Sequence, residues 1–388
     1  MSVIRAVSPS KLNACAPLKI TPMRLCFIAD PRSIHTARWI RFFAERGHSV
    51  ALISHCTPEP GLGIDRHYAI SEESIRGTRL IKNALEVRKA VRDFRAQILH
   101  AHYINESGWL AALSGVRPFV LTAWGSDVYL APTQSRLARV LTPWTVRRAG
   151  YVTADSMDQV ARLCAMGRST DTTEMVTWGV DLDRFTGRDG MIWRTKNSIE
   201  PDQIVILSPR QWIDNSNIEV ILEAFSLARA TQPRALLVLK RMTDTGSAIR
   251  EQLEARIQAL GIADSTLIVG EMPEHELADM YAGADVTVSV CASDGTPVSV
   301  LEAMAGESAL VVSNLPSLAE WIEPDVSGLL VQPGDVQQLC QSLLRLSEDV
   351  ALRSLVGKNA RRVVEERADR RVNLQKVEAI YHELVSAA

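Results

Sequence analysis

Two carboxylates around a helix start carry the first chemical signal in this chain. Asp294 and Glu302 lie eight residues apart in "SDGTPVSVLEAMAGE" (293–307). Thr296 reads as the N-cap, Pro297 as the first helical residue and Gly306 as the helix end. The open N–H groups near Val298 and Ser299 then form an anion site, because free donors and the helix dipole both favour negative charge. Glu302 lies one turn in, too far to cap, and can accept from a diol such as a ribose. Asp294, at the turn with Gly295, can take hydroxyls from the far end of the same ligand. Ribose, phosphate and sugar in that order are the layout of a sugar nucleotide. On spacing alone, an acid/base pair and a capped helix with two solvated acids remain open.

The surrounding segments alternate as strands and helices. "MRLCFIAD" (23–30) and "HSVALIS" (48–54) read as strands joined by a helix over 35–47. That is one β-α-β unit of a parallel sheet. Further strands are expected at 98–103, 119–124 and 151–155, with basic helices at 78–97 and 136–150, the latter interrupted near Pro143. Residues 187–203 are polar and turn-rich and read as the linker after a first domain at 23–186. A second series follows, with strands at 204–209, 235–239, 266–270, 286–290, 309–313 and 328–333. It is assigned to a domain at 204–365, with a last helix at 366–388. Residues 1–22 read as a flexible tail, and Met23 is a second candidate start. The expected fold class is α/β, as two doubly wound halves in tandem.

Composition narrows the class. With 388 residues, two domains are the prior. No apolar run approaches the ~20 residues of a membrane span. Six scattered cysteines without a Cys-x-x-Cys fit a reducing cytoplasm and no structural zinc. Residues 1–170 hold 23 Lys and Arg against 12 Asp and Glu, whereas residues 171–388 hold 20 against 33. A basic half joined to an acidic half points to different partners. Phosphate-loop, dinucleotide and nucleophile-elbow signatures are absent. "HELAD" (275–279) starts like a zinc-protease helix, but Asp279 stands where the second His belongs.

The stretch 293–335 closely resembles the signature of the group 1 (family 4) glycosyltransferases, with Asp294 in place of the first Glu of their E-x7-E element. "LEAMA", a proline-containing loop and "GLLVQPGD" follow as in that family. The upstream run 269–286, with Glu271 and Met272, resembles the segment that closes over the nucleotide base. "SPRQWIDNSNIEVILEAF" (208–225) resembles its phosphate segment, with Arg210 at the diphosphate-binding arginine. The family's lysine six residues later is Ser216 here, and Lys240 or Arg241 can restore the charge. In the first half, "ILHAHY" places His102 where the family has a histidine facing the donor sugar. His100 is expected to face the other way along that strand. "TAWGSDV" (122–128) resembles the family's HGSD turn, which makes Asp127 an acceptor-side candidate, with His35 a second. Trp124 and Trp178 read as core.

The resemblance covers residues 23–385 and implies the GT-B fold, two Rossmann-like domains facing across a cleft. It implies a retaining transferase using a nucleotide-sugar donor, UDP- or GDP-linked, with no metal and no other cofactor. Arg210, Lys240 or Arg241, and the helix start at Gly295, Thr296, Pro297, Val298 and Ser299 would stabilise the leaving diphosphate. The acceptor would be a glycan, a lipid-linked sugar or a small molecule, as in polysaccharide or glycolipid synthesis. A sugar-nucleotide epimerase, a phosphorylase and a non-catalytic sugar-nucleotide binder are the alternatives. The last helix is expected to cross back to the first domain. The basic helices of the first half, from Arg76 to Arg95 and from Arg136 to Arg148, suit an anionic membrane surface on its cytoplasmic side. A nucleic-acid partner is not expected, since the net charge is −2 and no binding motif appears.

Overall fold

Alternation along β1 (Arg24–Ile28) explains the first domain. Cys26 and Ile28 point into one apolar core, and Leu25 and Phe27 into another. A strand buried on both faces has to be a central strand of a sheet layered with helices on each side. The computed structural model describes residues 21–71, 78–130, 135–242 and 245–387. Most of the expected tail, and Arg76, lie outside the described residues.

Six more strands complete the first sheet: β2 Ser49–Ser54, β3 Arg66–Ala69, β4 Ile98–His102, β5 Phe119–Thr122, β6 Tyr151–Ala154 and β7 Thr173–Met175. Their order is β3-β2-β1-β4-β5-β6-β7, and each pairing is parallel. The second sheet holds β8 Ile204–Ser208, β9 Ala235–Lys240, β10 Thr266–Val269, β11 Val286–Ser289, β12 Ala309–Ser313 and β13 Leu329–Val331. Its order is β10-β9-β8-β11-β12-β13, again parallel. In each sheet the winding direction reverses once, beside β1 and beside β8. Ligands of such sheets bind outside the carboxyl ends of the strands at that reversal.

Parallel strands need crossovers, which place helices on both faces of the first sheet. The helix Ile34–Glu45 covers one face, where Trp39 and Phe43 are buried. The helices Thr78–Phe94, Trp109–Ser114 and Arg136–Arg148 cover the other, through Leu80, Leu110 and Ala138. The last helix, Arg370–Ser386, lies on the first face, with Leu374, Val377 and Tyr381 in the same core as Trp39.

Several local expectations are corrected. The chain crosses between domains before residue 187. Trp178 belongs to a first-domain core and Val180 to a second-domain core. Val180 N donates to Ala368 O at 2.8 Å, and Arg370 N returns to Val180 O at 3.0 Å. Gly179 has φ +66°, and a Cβ there would lie 2.6 Å from Arg370 Cα, so only glycine fits this double crossing. The stretch 187–203 holds a helix, Gly190–Lys196, which buries Trp193 in the second domain. Its polar composition marks loops on that domain's surface. The helix Arg136–Arg148 also runs through Pro143. A Ser135 cap on Ala138 N and four buried residues hold it.

Candidate functional site

The carboxyl ends of β8, β9 and β10 and the 298–305 helix face the 32–38 segment of the first domain across a cleft of about 660 Å³. Arg210, just past β8, is its central cation. Its Nη2 donates to Asp294 Oδ2 at 2.6 Å and its Nη1 to Ser299 Oγ at 3.3 Å, while its Nε is buried without a partner. Burial opposes this charge, but Asp294 outweighs it and holds the guanidinium above its ordinary value. Lys240, at the end of β9, lines the same cleft with its Nζ 3.2 Å from Met242 Sδ. Burial pulls its value down, against the pull of Glu302 and Glu271.

Glu302 enters from the second turn of the 298–305 helix and is 8% exposed. Tyr281 Oη donates to its Oε2 at 3.3 Å, and Arg38 Nη2 stands 3.6 Å from its Oε1. Burial raises its pKa, with Arg38 and Tyr281 opposing. Glu271, Met272, Val298 and Ser299 complete this side. The floor therefore combines two cations, a helix N-terminus and a buried carboxylate, a set able to hold a diphosphate and a diol at once.

The other motif residues fall behind this wall. Asp294 does not line the cleft; its carboxylate is engaged by Arg210 and by Gly295 N at 2.8 Å. Gly295 faces the first domain, where a Cβ would come within 2.4 Å of Asp155 Oδ1. Thr296 is not the cap. Its hydroxyl donates to Asp155 O at 2.6 Å and accepts from Trp321 Nε1 at 3.0 Å. Pro297 takes the N-cap position, and the helix starts at Val298. Arg241 turns away from the cleft to Glu254, 3.3 Å distant, because β9 ends one residue earlier and Lys240 takes the inward place. Ser216 is fully buried, with its Oγ unpartnered.

First-domain candidates also move. Asp127 is fully buried, and its carboxylate accepts from Ile104 N at 2.7 Å, Trp124 N at 3.0 Å and Gly125 N at 2.9 Å. It shapes the turn and is not available to an acceptor. Burial pushes its pKa up to about 6, against those three donors. His35 lines the same cleft as Arg210 and Glu302, beside Trp178. Burial and nearby Arg38 and Arg370 lower its pKa to about 3, so the ring is neutral.

His100 and His102 lie on the same face of β4, with ring centroids 4.8 Å apart. Side chains two residues apart on a strand share a face, so the expected opposition does not hold. His100 is bonded by Tyr381 Oη at 2.5 Å and Thr122 Oγ1 at 2.7 Å. His102 is ringed by Trp39, Trp124 and Trp178, and neither of its nitrogens has a partner. Burial lowers its pKa to about 3. It forms part of the wall of a second cavity, of about 690 Å³, inside the first domain. Asp30, Arg32, His55, Asn105, Glu106 and Trp124 are among that cavity's other walls. Tyr103 and Glu106, also on the wall, have φ of +79° and +55°, strained values for such side chains.

Besides Tyr281 and Glu274, the sequence reading missed Arg38. Its Nε and Nη2 donate to Glu274 Oε1 at 3.0 and 2.8 Å, across the domain boundary. Arg184 pairs with the other Glu274 oxygen. The available signal was spacing, since Arg38 lies three residues after His35 on one helix face. Among the described residues, no group of three or more His, Cys, Asp or Glu side chains is placed to hold a metal ion.

Known proteins place this arrangement. Residues 24–156 match the family described as glycosyl transferase 4-like, and residues 191–363 match the glycosyl transferases group 1. The chain has the GT-B fold and is related to the group 1 glycosyltransferases. Among solved GT-B structures, sucrose-phosphate synthase from Thermosynechococcus elongatus superposes with a TM-score of 0.81 at 19% identity, over 94% of this chain and 100% of that one. Anabaena HepE in complex with UDP gives 0.79 at 16% identity, over 93% and 100%. A D-inositol 3-phosphate glycosyltransferase of Geodermatophilus obscurus is 27% identical over 280 residues, 68% of this chain. The matched region spans 62% of that relative, less than two thirds of its length.

Proposed function

We propose that the protein is a retaining glycosyltransferase of family 4 type, moving a hexose from a nucleotide diphosphate sugar to an acceptor hydroxyl. One observation carries this reading. Arg210, Lys240 and the N-terminus of the 298–305 helix converge on one cleft beside the buried carboxylate of Glu302. On this reading Glu302 holds the ribose, and the cations and Ser299 hold the diphosphate. The bond between the anomeric carbon and the diphosphate oxygen breaks, leaving negative charge on that oxygen. Arg210, Lys240 and the helix N–H groups stabilise it, so no metal is required. Lys240 supplies the cation that Ser216 does not. Asp294 orients Arg210, and His102 lies on the wall of the cavity that would take the acceptor. The UDP bound by HepE supports uridine as the base. The scattered cysteines, with no Cys-x-x-Cys among them, support a reducing, cytoplasmic setting.

A thermal-shift screen over UDP-, GDP-, ADP- and dTDP-sugars tests the donor. Binding to the folded state raises the melting temperature for the true donor class. No shift with any of them overturns the reading. Sugar transfer, with retained configuration in the product, separates a transferase from an epimerase, a phosphorylase or a passive binder.

A further inference from the structure

The outer face of the first domain carries a feature that the cleft does not use. The helices Thr78–Phe94 and Arg136–Arg148 both pack against Trp109–Ser114 on one face of the sheet. The first carries five Lys or Arg and the second four, against only Glu86 and Asp93. Charge of this kind is ordinarily a solvated face. Large apolar side chains left among the cations set this one apart: Ile81 is 60% exposed, Leu85 58%, Leu137 46% and Val140 67%. All four lie within the first eight residues of their helices. Each helix leads into a strand, β4 or β6, so its N-terminal end lies at the carboxyl edge of the sheet. There the cavity of about 690 Å³ opens, and Asn83, Ser135 and Leu137 form part of its wall. The apolar patch thus borders the mouth of that cavity. Farther along the first helix, Leu85, Arg88, Lys89 and Arg92 line one shallow depression.

We propose that this face docks on an anionic lipid bilayer and that the cavity receives the polar head of a lipid-linked acceptor from that surface. The proposal rests on the transferase reading for the cavity's role, but the docking stands on its own geometry. Exposed aliphatic groups ringed by cations match a bilayer's boundary, where anionic headgroups overlie acyl chains. Nucleic acid would engage the cations and leave the four aliphatic side chains in water. No described helix is long and apolar enough to cross a membrane.

Flotation of the full chain with phosphatidylglycerol vesicles and with pure phosphatidylcholine vesicles tests this. The protein floats with the anionic vesicles at low salt and less so at high salt. Lys82→Glu, Arg88→Glu and Lys89→Glu together lower partitioning by roughly 100-fold or more. Ile81→Ser, Leu85→Ser and Val140→Ser together weaken binding and leave the remainder wholly salt-sensitive. Neither set lines the donor cleft, so nucleotide-sugar affinity by calorimetry stays unchanged in both, which also reports folding. A wild-type protein that stays in solution with anionic vesicles at low salt overturns the docking, as do variants that float like wild type. Retention of nucleic acid without flotation reassigns the face. If the protein binds a nucleotide sugar and does not float, the docking fails and the donor reading stands; floating without nucleotide-sugar binding is the reverse.

Discussion

Replacing Glu302 by glutamine separates binding from stability. Its carboxylate is 8% exposed, with Tyr281 at 3.3 Å and Arg38 at 3.6 Å. Both contacts are long, and Arg38 keeps its closer bonds to Glu274 when Glu302 changes. Burial, the largest effect, raises the Glu302 pKa. A carboxyl with a raised folded-state pKa stabilises fully below its unfolded value, and that contribution is lost as pH rises through the folded value. At neutral pH the wild-type protein therefore carries a desolvation penalty that glutamine lacks. Glu302→Gln is expected to melt at or above wild type at neutral pH, and the gap closes as the pH falls to where Glu302 protonates.

Binding moves the opposite way. A carboxylate accepting from two ribose hydroxyls makes two charge-assisted hydrogen bonds, each worth ~1.5–3 kcal/mol. Losing the charge, and one acceptor, costs about 2–3 kcal/mol, or roughly 30- to 200-fold in Kd. Titration calorimetry with UDP and a UDP-sugar, beside thermal melts of the same samples, reads both quantities. Wild-type affinity in Glu302→Gln refutes the ribose assignment. Weaker binding with a clearly lowered melting temperature assigns Glu302 to structure instead.

Other substitutions read other parts of the site and frame. Arg210→Lys cannot bridge Asp294 and Ser299 as the guanidinium does, so turnover falls about tenfold or more while thermal stability changes little; unchanged turnover refutes its place at the diphosphate. Asp127→Asn presents an N–H₂ to one backbone donor and costs about 1–3 kcal/mol in urea unfolding. Because burial lifts the Asp127 pKa to about 6, its own contribution is lost as pH rises through that value, so wild type exceeds the variant by more below pH 6 than above it. A gap that does not narrow as the pH rises from about 4 to 6 refutes that titration. Gly179→Ala places a Cβ 2.6 Å from Arg370 Cα at φ +66° and lowers the melting temperature; an unchanged melt refutes the tight crossing.

The interior strands were legible because burial on both faces leaves long apolar runs, as in "VALIS" of β2 or "ALVVS" of β12. β3 and β7 were not. They are edge strands of four and three residues with half-exposed side chains, and nothing in "RHYA" or "TEM" alternates. The crossing at Gly179 was missed because "WGVD" is short and apolar and looks like core, whereas the truly polar stretch belongs to the second domain's surface. In the site, Glu302 followed from its spacing after a helix start, whereas Arg210, and Lys240 as one of two choices, came from the family resemblance. Arg38 came from neither, because its meaning depends on Glu274, 236 residues away. Asp294 was assigned outward for the same reason. Only the packed structure shows Arg210 standing between it and the cleft.

That arrangement changes what the acids do. Two cations of the cleft are already paired, Arg210 with Asp294 and Arg38 with Glu274. A buried guanidinium without an anion is costly, so these carboxylates keep the site charged while no phosphate is present. A diphosphate then adds to a fixed guanidinium instead of ordering a loose one, and fixed donors lose little when charge develops on the leaving oxygen. The same pairs tie the domains. Arg38 reaches from the first domain to Glu274 in the second, Thr296 donates to Asp155 O, and Glu320 accepts from Met157 N and Asp158 N at 2.9 and 2.8 Å. Substrate charge and domain closure therefore draw on one network. On the proposed reading, a donor that engages Glu302 would compete with Arg38 for that carboxylate and leave Arg38 to Glu274, its partner across the domains.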